Sequence, residues 1–101
     1  MKKLGLALAL SLVAFSAKAD EFNGFVSSEA CVRERRTTLD EECAKSTVSR
    51  GARPVFVRSD DRTFLIADGD EDRMRDYAGY KVTISGQIDG DRVRIESVKR
   101  N

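Results

Sequence analysis

The chain has 101 residues, with 18 Lys and Arg against 17 Asp and Glu, and a formal charge of +1. A balance this close to neutral argues against a dedicated nucleic-acid binder, whose electrostatic footprint is strongly basic. The chain contains no His, which excludes the usual Ser-His and Cys-His nucleophile pairs.

The first segment reads as a secretory signal peptide. Lys2 and Lys3 start it, residues 4–15 form an apolar run, and Ala17-Lys18-Ala19 supplies an A-x-A cleavage site. The run is shorter than the roughly 20 residues a bilayer span requires. Asp20 rather than Cys follows the cut, so no lipid attachment is expected there. Residues 1–19 are therefore expected to be removed, leaving a periplasmic or secreted chain without a membrane span; a retained anchor is the alternative. Residues 20–101 make one domain of 82 residues. Losing Lys2, Lys3 and Lys18 leaves 15 basic residues against 17 acidic, a formal charge of −2.

Residues 22–27 alternate loosely around Gly24 and read as a first strand. Residues 28–38 are polar and show no clean period. Residues 39–49 read as a helix, with Thr38 and Glu41 in the relation of a capping box and Gly51 placed to end it. Leu39, Cys43 and Thr47 share one face of that helix. Cys31 and Cys43 are expected to form a disulfide tying the helix back toward the first strand. Closing a loop of about 13 residues stabilises by roughly 3 kcal/mol on the chain-entropy account. A redox or metal-binding pair is the alternative, but the chain has neither C-x-x-C spacing nor a His.

Pro54 leads into a strand over residues 55–58, Asp60-Asp61 turns the chain, and residues 63–67 return as the second arm of a hairpin. Residues 68–76 are acid-rich and predict one or two helical turns. Residues 80–88 and 91–98 flank Asp89-Gly90, a strong two-residue hairpin signal. Pairing Ile88 with Asp91 sets Ile84 against Ile95, Gly86 against Val93 and Val82 against Ser97 on an apolar side. The polar side then pairs Gln87 with Arg92, Ser85 with Arg94 and Thr83 with Glu96. Val98 breaks the alternation, marking a strand end or a bulge. The whole predicts a mainly β fold: a small five-stranded OB-like barrel, with a disulfide-linked helical segment after strand 1 and a short helix between strands 3 and 4.

Four blocks then carry a resemblance. Gly24-Phe25-Val26-Ser27, Glu42-Cys43-Ala44-Lys45, the stretch over residues 51–57 and the stretch over residues 78–86 with its Asp-Gly turn occur in this order along nearly the whole of residues 20–101. In this the chain resembles a family of short exported bacterial OB-fold proteins. The resemblance implies a fold and a compartment, because that family has no settled activity. Relatives commonly carry a Cys four positions after the one matching Cys43 and a His soon after the one matching Cys31. Here those places are Thr47 and an Arg-rich stretch without His, over residues 33–36. If the family holds a metal there, this chain lacks that site; if the extra Cys served another disulfide, Cys31 with Cys43 is what survives.

Asp68, Asp70, Asp72 and Asp76 fall at positions 1, 3, 5 and 9 of an EF-hand-like loop. Arg73 stands where that loop needs Gly, and Gly79 where it needs Glu. The same acids serve equally as the first turn of a short helix capped by Asp68 or Asp70, so no metal site is expected. Phe56, Phe64, Tyr77 and Tyr80 offer a stacking platform flanked by Arg58 and Arg62, against the alternative of core packing. Tyr77 and Tyr80 are expected to be more exposed than either Phe, and with Arg58 and Arg62 they are the candidate binding residues. No catalytic residue or cofactor is expected. The sequence therefore points to a non-catalytic exported OB-fold module that binds a protein or a small polar ligand, or protects the envelope. The alternatives are a small metal-dependent hydrolase built on the Asp68, Asp70, Asp72 and Asp76 cluster, and an interaction subunit pairing through a strand edge.

Overall fold

Strand alternation sorts the side chains into two sets, one of which fills an interior. The computed structural model describes residues 19–34 and 40–101. The expected signal segment up to residue 18 and the Thr38 cap lie outside the described residues. The elements are β1 (Asp20–Ser28), α1 (Glu29–Arg33), α2 (Glu41–Ser49), β2 (Pro54–Arg58), β3 (Thr63–Ile66), α3 (Glu71–Arg75), β4 (Lys81–Asp89) and β5 (Arg92–Arg100). The fold is mainly β, and the strands close into a ring in the order β1-β2-β3-β5-β4. Val26, Phe56, Phe64, Ile66, Val82, Ile84, Val93 and Ile95 point inward and are buried, and Met74 of α3 joins them.

The β2–β3 hairpin forms as the sequence predicts, with Val55 opposite Leu65 and Phe56 opposite Phe64. On the other side of the sheet Phe25, Ser27, Val55 and Val57 are buried as well, and α1 and α2 pack against β1. α1 was not legible as a helix. Its five residues are too few to show a period, and Ser28 starts it by accepting from the Cys31 amide at 3.0 Å. α2 forms where expected, but Asp40 caps it: its Oδ1 accepts from Cys43 N at 3.0 Å. Gly51 ends the helix at φ +103°. The two helices bring Cys31 Sγ and Cys43 Sγ to 2.10 Å, disulfide-bonding distance.

The β4–β5 hairpin forms with a different register from the expected one. Asp89 pairs with Arg92 and Ile88 with Val93, so the turn residues are Gly90 and Asp91. Gly90 alone takes positive φ, +67°, as in turns with Gly at the first central position. The slip is two residues, so the apolar faces still meet. Gly86 then lies opposite Ile95, and the register shifts by one between Ser85 and Gly86. A Cβ on Gly86 would stand 2.0 Å from the Arg94 carbonyl oxygen; only glycine permits that approach. The bulge returns Val98 to the inner side opposite Ile84, and β5 runs on to Arg100.

Candidate functional site

The four candidate binding residues divide into two clusters. On the β2–β3 hairpin, Arg58 and Arg62 hold their guanidinium carbons 5.0 and 5.1 Å from the Phe64 ring centre. Arg58 is fixed by a two-pronged bond to Asp60, Nε to Oδ1 at 3.0 Å and Nη2 to Oδ2 at 2.7 Å. That bond lowers the Asp60 carboxyl to about 2 and raises Arg58 above its ordinary value. The two arginines roof Phe64, which is buried. This ring is core, with no face free for a base or a sugar.

Tyr80 belongs to the second cluster. It is half-buried where the chain enters β4, with Lys45 Nζ 4.6 Å and Arg100 Cζ 4.4 Å from its ring centre. Glu41 lies 2.8 Å from Lys45 and raises its pKa, burial opposing and Tyr80 adding to the effect. Tyr77 is half-buried and packs against the interior cluster. Of the aromatic platform, Phe64 and Tyr80 thus face this chain's own cations, and Phe56 is buried.

The acidic segment is spent on structure. Asp70 occupies the cap position of α3 without making a side-chain cap bond. Its Oδ2 instead accepts from Ile95 N at 3.0 Å, and its Oδ1 pairs with Arg73 at 3.1 Å. Arg73 in turn donates to the carbonyl oxygens of Ile95 and Glu96. Arg75 donates to the carbonyls of Val48 and Ala52 at 3.3 and 3.2 Å, tying α3 to the end of α2. Glu71 pairs with Arg53 at 3.2 Å. Asp68 and Asp72 make only long ion pairs, 3.8 Å to Arg92 and 3.7 Å to Arg75. Among the described residues no three acids or cysteines are grouped to hold a metal ion.

Two of the surface concavities bear on the candidate residues and the cysteine pair. The first is a groove of about 270 Å³ where β1 meets its two neighbours, with Phe25 and Val57 beneath Asn23, Ser59, Lys81 and Asn101. Thr83 Oγ1 lies 2.7 Å from the Asn23 amide and 3.0 Å from that of Asn101, holding both in place. Lys81 makes no ion pair among the described residues, and Asp61 and Arg58 line the groove with it, so it carries charges of both signs. No motif announces this groove, because Asn23 and Thr83 stand 60 residues apart. The second is a wider, open concavity beside α2, walled by Cys43, Thr47, Asp40, Glu42 and Arg50. No helix among the described residues is long and apolar enough to cross a membrane. Compared with protein-family models, with curated proteins and with solved structures, the chain matches none of them.

Proposed function

We propose that this chain is an exported, non-catalytic module of the OB type that binds a small polar ligand at the β1 groove. The observation that carries the reading is the ring order β1-β2-β3-β5-β4 with α3 between β3 and β4, the arrangement expected of that barrel. The cysteine pair at bonding distance fits an oxidising compartment, and the resemblance to short exported bacterial OB-fold proteins points the same way. A groove of about 270 Å³ sits just below the usual 300–1,000 Å³ of ligand pockets, with the same mix of apolar floor and few polar groups. Phe25 and Val57 offer the floor, and Lys81, Asn23 and Asn101 the orienting contacts. Of the acids that a hydrolase would use, Asp70 is engaged with Arg73 and the Ile95 amide, while Asp68 and Asp72 make long ion pairs to Arg92 and Arg75.

The test is an amide NMR titration of the exported protein with a panel of disaccharides and dipeptides. Saturable shifts should cluster on Asn23, Phe25, Val57 and Lys81 and vanish in Lys81→Ala. Shifts elsewhere, or none for any member of the panel, would refute a ligand groove at β1.

A further inference from the structure

The two sulfurs of the Cys31–Cys43 pair stand in different surroundings. Cys31 is 1% exposed. Cys43 is half-buried and lines the open concavity beside α2. An attacking thiolate must reach the sulfur it bonds to, and rates depend on which sulfur is accessible and how well the other leaves. Access selects Cys43.

The leaving side is also prepared. Ser28 Oγ donates to Cys31 Sγ at 3.0 Å while accepting from the Cys31 amide at 3.0 Å. Thr47 Oγ1 lies 2.6 Å from Ser28 Oγ as its donor, and 3.5 Å from Cys31 Sγ. Ser28 gives its proton to Cys31, while Thr47 shares its single proton between Ser28 Oγ and the Cys43 carbonyl oxygen, 2.7 Å away. A disulfide sulfur is a weak acceptor, whereas a thiolate is a strong one. The Ser28 hydroxyl, buried with Cys31, therefore gains interaction as negative charge develops on Cys31, with Thr47 beside it. Among the described residues no such donor is placed on Cys43 Sγ.

We propose that Cys43 is a thiol-exchange site, at which a small-molecule thiol enters and Cys31 leaves. The external thiolate bonds to Cys43 Sγ and the Cys31–Cys43 bond breaks. The bonding pair departs on Cys31 Sγ, held by Ser28 until it takes a proton from water. The product is a mixed disulfide on Cys43 and a thiol at Cys31. A second thiolate attacks the mixed disulfide, releases the oxidised small molecule and leaves Cys43 reduced, so two thiols supply the two electrons. The site does not depend on the β1 groove and stands or falls separately from it.

The oxidised full-length secreted protein is pulsed with 2-mercaptoethanol in native buffer. It is then acid-quenched, labelled with a maleimide and mapped by mass spectrometry. Mercaptoethanol should sit on Cys43, and the maleimide on Cys31, in about ten-fold excess over the reverse pattern. Thr47→Val, close to isosteric, and Ser28→Ala should each slow the exchange about five-fold without moving the adduct. Circular dichroism checks that both variants stay folded. An adduct on Cys31, equal shares, or no reaction until denaturant is added would overturn the site. Unchanged rates in both variants would overturn the donor chain.

Discussion

β5 joins the ring through two seams of different kinds. β4 and β5 pair at eight registered positions, from Asp89 opposite Arg92 to Val82 opposite Arg100, and Val82, Ile84, Val93 and Ile95 bury the inner side. β3 and β5 meet in parallel at only two registered pairs, Leu65 with Arg92 and Ile66 with Val93. Two further bonds lengthen that seam, Leu65 N to Asp91 O at 2.8 Å and Ala67 N to Val93 O at 2.9 Å. Beyond Val93 there is no strand left to pair. Asp70 and Arg73 take over, offering the β5 edge a carboxylate for the Ile95 N–H and a guanidinium for the next carbonyls. One seam is made by apolar alternation and the other is finished by side chains standing in for backbone. This is why Asp70 is committed to the β5 edge, and why an added strand at this part of that edge would first have to displace Asp70 and Arg73.

The interior serves both seams, so its loss has the largest expected effect. Phe56→Ala empties a site that is fully buried and should cost about 3–5 kcal/mol in a denaturant melt, with both seams lost in one transition. A loss under about 1 kcal/mol would mean that the interior does not join them. Asp70→Ala touches the short seam alone. It leaves the Ile95 N–H and the Arg73 guanidinium short of a partner, and the expected cost is about 1–3 kcal/mol. A neutral result would remove the difference between the seams. Asp60 gives the smallest effect, on the β2–β3 turn. Its carboxyl lies lowered from 3.8 to about 2 by Arg58, so its contribution is present above the unfolded value and fades as pH falls through about 2. Asp60→Asn should abolish that part of the acid limb. A carboxyl NMR titration of Asp60 with a midpoint near 4 would show that the Arg58 bond is absent in solution.

Period-2 alternation made β4 and β5 legible in the sequence, because inward and outward residues differ in polarity along them, and Pro54 with Asp60-Asp61 bounded β2 and β3. The position of α2 was legible from its acids and Gly51, and the cysteine partnership from there being two. The hairpin register was missed by two residues because Asp89-Gly90 imitates a complete turn signal. The deciding contact, the Arg94 carbonyl against Gly86, is a backbone approach that no pattern records. The site fared worse. Arg58, Arg62 and Tyr80 were singled out as binding residues, and the structure sets the two arginines over Phe64 and sets Lys45 and Arg100 over Tyr80. Asp70 finds Ile95 across 25 residues, and the β1 groove joins side chains from both ends of the sequence.

Amide hydrogen exchange at Ile95, compared between the natural chain and Asp70→Ala, tests the substitute-strand claim most directly. Ile95 should be protected in the natural chain and lose about ten- to a hundred-fold of that protection in the variant, while amides paired across the β4–β5 ladder hold theirs. Equal protection of Ile95 in both proteins, or an equal loss along the whole ladder, would contradict the account.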